Sequence, residues 1–100
     1  MKGFDSGKTG MRVRLLIRGY VQGVGFRWWL QETAIRRNLD GWVRNLPDGS
    51  VEAELSGPDP DVKAVVSLCS EGPPSATVSS VEQHILPDTE KLERGFHIRR

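Results

Sequence analysis

The segment Gly19-Tyr20-Val21-Gln22-Gly23-Val24-Gly25-Phe26-Arg27 decides how this chain folds, because it joins a strand-like run to a helix-like one within a few residues. Upstream, in the run from Met11 to Arg18, Val13, Leu15 and Ile17 alternate with Arg12, Arg14 and Arg18. This is the period-two pattern of a half-buried strand, with Leu16 as the apolar exception on the polar face. Downstream, Phe26, Leu30 and Ala34 recur every four residues with Ile35 beside them, which predicts a helix with one apolar stripe. Between the two, Gly19, Gly23 and Gly25 give the backbone freedom to turn consecutive N–H groups toward one point. A loop of that kind entering a helix N-terminus can hold a phosphate. Arg27 places a permanent planar cation at its mouth, and a cation in the first helical turn opposes the helix dipole unless an anion compensates it.

The rest of the chain builds outward from this junction. The first helix stops near Asn38, a residue that tolerates the left-handed position at a helix end. Trp42–Leu46 and Ser50–Ser56 flank Pro47-Asp48-Gly49, a turn sequence that predicts a hairpin with Val43 and Asn45 on one face. Asp59 is expected to cap a second helix carrying Val62, Val65, Val66 and Cys69, which ends before Gly72-Pro73-Pro74. Strand-like stretches follow at Ala76–Leu86 and Arg94–Arg99. The resulting order is β-α-β-β-α-β plus an extra C-terminal strand. It is an α+β arrangement in which two helices cover one face of an antiparallel sheet.

Composition narrows the function classes. With 100 residues, 37% hydrophobic and 27% charged, the chain suits one small domain over residues 11–100, preceded by a flexible tail over residues 1–10. A net charge of +1 lacks the excess of a general nucleic-acid binder. The single cysteine cannot form an internal disulfide, and no apolar stretch reads as a signal peptide or a membrane span. A cytoplasmic location and a monomer are the expectations. Gly7-Lys8-Thr9 imitates the end of a P-loop, but Gly3 lies one residue too close for that spacing and no strand precedes it. Neither His84 nor His97 stands at metal-ligand spacing with Cys69 or a second histidine, so no metal and no cofactor are expected. A cysteine-phosphatase loop would put its nucleophile six positions before the arginine, where this chain has Val21.

Gly19-x-Val21-Gln22-Gly23-Val24-Gly25-Phe26-Arg27, followed by Gly41-Trp42-Val43-x-Asn45-x-x-Asp48-Gly49-x-Val51-Glu52, resembles the pair of signatures of the acylphosphatase family. The likeness spans roughly residues 11–100, and that family's ferredoxin-like fold agrees with the element order above. The resemblance implies hydrolysis of acyl phosphates to a carboxylate and inorganic phosphate. It assigns the phosphate cradle to the loop residues Tyr20, Val21, Gln22, Gly23, Val24, Gly25 and Phe26, phosphate binding to Arg27, and water orientation to Asn45. A small acyl phosphate is then the substrate, and inorganic phosphate or sulfate the product-like ligand.

Other readings of these residues stand beside that one. A glycine-rich strand-to-helix turn is often plain chain geometry, an asparagine near a hairpin is often turn chemistry, and Trp42 reads as core packing. Trp28 and Trp29 stand where smaller or more polar residues are common in the family, and neighbours on a helix diverge by about 100°, so one of them is expected at the pocket rim. Two rival functions share the element order. An RNA-recognition module fails because Arg18-Gly19-Tyr20 continues with Val21 and Gln22 and follows the first strand rather than lying on the third. An accessory acylphosphatase-like domain of a hydrogenase maturation factor is disfavoured by the absence of following zinc-ligand clusters.

Overall fold

A computed structural model describes residues 10–87 and 93–100. The tail expected over residues 1–10, with its P-loop imitation, lies outside the described residues except for Gly10. The elements are β1 (Gly10–Tyr20), α1 (Phe26–Arg36), β2 (Asp40–Asn45), β3 (Val51–Pro58), α2 (Asp59–Cys69), β4 (Thr77–Leu86) and β5 (Phe96–Ile98). They form the ferredoxin-like α+β fold: one five-stranded sheet in the order β4-β1-β3-β2-β5, with both helices on one face. No helix among the described residues is long and apolar enough to cross a membrane.

Alternation in the strands builds the core. Val13, Leu15 and Ile17 of β1 and Val51, Ala53 and Leu55 of β3 are all buried beneath the helices, where they meet Phe26, Leu30 and Ala34 of α1 and Val62, Val65 and Cys69 of α2. Ile35, expected beside the α1 stripe, is instead 53% exposed, since its neighbour Ala34 takes the inward direction and the next position around the helix faces solvent. Helix α1 ends in a Schellman motif: Asn38 N–H donates to Ile35 O at 3.0 Å and Leu39 N–H to Ala34 O at 3.0 Å, with Asn38 left-handed at φ 58°. In α2 the capping position falls on Pro58, extended at φ −60° and ψ 139°, and makes Asp59 the first helical residue. Asp59 and Asp61 there complement the positive end of the helix. Burial pushes the Cys69 thiol up to about 12, which keeps it protonated and unreactive at neutral pH.

The extra strand makes the sheet mixed. β1–β3, β1–β4 and β2–β3 are antiparallel, whereas β5 runs parallel to β2, with Gly41 beside Phe96 and Val43 beside Ile98. Direction explains this: β4 runs opposite to both β1 and β2, so a chain that reverses after β4 enters the edge of β2 running the same way as β2. Phe96 and Ile98 thereby face α1.

The opposite face of the sheet carries charge over a buried carboxylate. Glu54 is 2% exposed and accepts from Arg12 Nη2 at 3.1 Å and from Arg14 Nη2 at 2.6 Å. Trp42, expected in the core, lies on this face opposite Glu54 in the register, covered by the guanidinium of Arg99 at 4.7 Å and that of Arg44 at 5.5 Å. It is shielded by cation–π contacts rather than by helices. For Glu54, burial pushes the carboxyl up while the hydrogen bonds from Arg14 and Arg12 pull it down, and the net position is below its ordinary 4.5. A lowered carboxyl stabilises the fold fully above its unfolded value and loses that contribution as pH falls through the folded one. Glu54→Gln should therefore cost about 1–3 kcal/mol at neutral pH. It should also flatten the fall of the melting temperature below about pH 4.5, measured by thermal unfolding across a pH series.

Candidate active site

The strand-to-helix junction is made by two different uses of glycine. Gly19 belongs to β1, at a shift in the β1–β4 register, and has φ 133°; a Cβ on it would lie 2.1 Å from Thr77 O. It serves the close approach of β4 rather than the loop. Gly23 and Gly25 have φ of 75° and 80° with open space where a Cβ would stand, so here the left-handed conformation itself selects glycine. Gly25 caps α1 with no side-chain hydrogen bond to its first turn. The first helical bond runs from Trp29 N–H to Gly25 O at 2.9 Å, which leaves the preceding amides of that turn without intrahelical acceptors. Those donors and the positive end of the helix dipole point out of the junction.

A cavity of about 190 Å³ opens there, lined by Val21, Gly23, Gly25, Phe26, Arg27, Trp28, Asn45 and Ile98. The fold thus brings seven of the residues singled out in the sequence to one place, Trp28 rather than Trp29 among them. Tyr20, Gln22 and Val24 do not line it: Tyr20 lies in β1, 64% exposed and paired with Thr77. Among the described residues Arg27 makes no hydrogen bond or ion pair, whereas Arg12, Arg14, Arg18, Arg36, Arg37 and Arg44 all pair with carboxylates. Asn45 ends β2 on the helix side, and its Oδ1 is buried with no hydrogen-bond partner. Arg27, without a protein partner among the described residues, and Asn45 thus line one cavity, whose other walls are the glycine loop and apolar side chains that include Trp28 and Ile98. A larger hollow of about 660 Å³ lies by α1 and α2, but its cations are used: Arg37 Nη1 sits 3.1 Å from Asp61 and Arg36 Nη2 3.6 Å from Glu32.

Gln22 has a role that its place in the loop did not announce. Its Nε2 donates to Leu46 O at 2.8 Å and to Ser50 O at 2.9 Å, tying the loop to the β2–β3 hairpin. The hairpin is itself fixed by Leu46 N–H to Ser50 O at 2.9 Å and by Asp48, which accepts from Ser50 N–H at 2.9 Å. Hydrogen bonds from the Ser50 hydroxyl and amide hold the Asp48 carboxyl below its usual range. Gln22 therefore sets the distance between the loop and Asn45. Sequence reasoning also missed Ile98, which reaches the cavity only because β5 pairs parallel with β2. The alternation of Phe96 and Ile98 was the available signal, but nothing local named their neighbour.

The acylphosphatase family profile matches residues 13–98. A protein named Acylphosphatase from Caldivirga maquilingensis is 46% identical over 92 residues, covering 91% of this chain and 96% of that protein. The crystal structure of acylphosphatase from Bacillus subtilis superposes with a TM-score of 0.85 at 34% identity, covering 90% of this chain and 99% of that one. The crystal structure of HypF from T. kodakarensis matches with a TM-score of 0.77 at 30% identity, through 90% of this chain but only 12% of the HypF chain. Replacing Gln22 by Ala should lower kcat/KM about tenfold by loosening the loop against Asn45, at a stability cost of about 1–2 kcal/mol. Steady-state kinetics with a parallel denaturant melt checks both.

Proposed function

The chain belongs to the acylphosphatase family, and on that premise we propose that it hydrolyses acyl phosphates by attack of water at phosphorus, with Arg27 holding the phosphoryl group and Asn45 aiming the water. The observation that carries the reading is the cavity that Arg27, without a protein partner among the described residues, and Asn45 line together with the glycine loop. An acyl phosphate is a mixed anhydride with a good leaving group, so catalysis needs positioning and charge stabilisation more than a protein nucleophile.

The division of labour follows from the chemistry of each group. The loop amides and the guanidinium of Arg27 bind the charged phosphoryl oxygens, including charge that develops in the transition state. The amide of Asn45 can both donate and accept hydrogen bonds to a water, and it brings no negative charge that would repel the phosphate. The water oxygen forms a bond to phosphorus, the bond from phosphorus to the acyl oxygen breaks, and the carboxylate leaves with the electron pair. One water proton remains on the attacking oxygen and the other passes to a phosphate oxygen or to solvent. The chain acts as a monomer on a small dissolved substrate.

Benzoyl phosphate hydrolysis in the presence of a metal chelator is the direct test, and turnover should persist. Arg27→Ala and Asn45→Ala should each lose about 10²–10³ in kcat/KM with the melt unchanged. Free phosphate should inhibit Arg27→Ala less well and Asn45→Ala nearly as well as the native chain. Near-native rates in both variants would overturn the reading.

A further inference from the structure

The three tryptophans of the chain have different surroundings. Trp29 packs edge-on against Phe26, ring centroids 5.3 Å apart, and Trp42 lies beneath Arg44 and Arg99. Trp28 is 62% exposed and makes no ring or cation contact among the described residues, yet it lines the cavity next to Arg27. Ile98, 40% exposed, contributes a second apolar side chain to the same lining from β5. Single exposed apolar residues are ordinary on a protein surface, and Ile35 and Ile85 are of that kind. Two on the walls of one anion cavity, on elements far apart in the chain, are a different matter. The remaining apolar lining residues, Val21 and Phe26, are each only 1% exposed and belong to the core.

Resting on the acyl phosphate reading, we infer that Trp28 and Ile98 form an apolar shelf for the acyl group and make the protein selective for aromatic acyl phosphates over acetyl phosphate. A phosphoryl group held by the loop and Arg27 leaves its acyl substituent to extend along the cavity wall toward solvent. An indole face with no partner offers a stacking surface to a planar ring. An acetyl group is too small to cover that face or to reach Ile98 at the same time. The selectivity comes from area covered in the bound state, so it should appear chiefly in KM.

The experiment compares kcat/KM for benzoyl phosphate and acetyl phosphate in the native chain, Trp28→Ala and Trp28→Phe. The benzoyl-to-acetyl ratio should fall about tenfold in Trp28→Ala, mainly through KM for benzoyl phosphate, and recover to within about threefold in Trp28→Phe. A merely structural role would lower both substrates alike. A ratio in Trp28→Ala within about twofold of native overturns the shelf while leaving the hydrolase intact. Calorimetric titration with benzylphosphonate and methylphosphonate reads the shelf without turnover: benzylphosphonate should bind about tenfold tighter, and Trp28→Ala should abolish the difference. Equal binding of the two phosphonates by the native chain overturns the inference. A native chain inactive on both acyl phosphates overturns the hydrolase reading, and the shelf as an acyl-group site falls with it.

Discussion

The alternation of β1 is the constraint on which everything else depends. Val13, Leu15 and Ile17 are all fully buried between the sheet and the helices, and β1 pairs with β3 on one side and β4 on the other. A slip of one residue would send these three side chains to the open face and bring arginines into the core, so the register is held with little freedom. The loop leaves the end of β1 directly. Its origin in space is therefore fixed by apolar burial several residues away, and Gln22 then ties it to the β2–β3 hairpin.

Charge is distributed with the same economy. On the face without helices, Glu54 gathers Arg12 and Arg14, and Glu52 takes Arg44 at 2.7 Å. The half-exposed Arg44–Glu52 pair adds little stability, whereas the pairs to buried Glu54 neutralise its charge, and each keeps a guanidinium occupied. Arg27 has no such neighbour at the opening of α1. Its charge is left unpaired among the described residues because the sequence supplies no acid in the first turn of that helix, whereas α2 begins with two.

Local patterns were enough to read most of the fold and all but one of the residues lining the candidate site. Period two marked the strands, the Phe26, Leu30 and Ala34 spacing marked α1, Asn38 marked its end, and Val43 with Asn45 marked the face that meets the cavity. Each depends only on near neighbours. What escaped depends on the company a residue keeps across the fold. The parallel seat of β5 follows from the direction of β4, and Ile98 is unreadable without it. The burial of Trp42 depends on Arg44, two residues away, together with Arg99, which follows β5. The side chain of Gln22 looked available to a ligand, and only the approach of the hairpin shows that two backbone carbonyls claim it.

The brevity of β5 has a consequence for motion. The strand has three residues, and the bond from Gly95 N–H to Asp40 that helps anchor it spans 55 positions of sequence. With only three ladder pairs, at the edge of the sheet, β5 is among the elements that open at the lowest free energy, ahead of global unfolding. Ile98 rides on that strand. The other walls of that cavity rest on β1 and β2, which pair with β3 over eight and six residues, so the wall formed by Ile98 opens more readily than the rest.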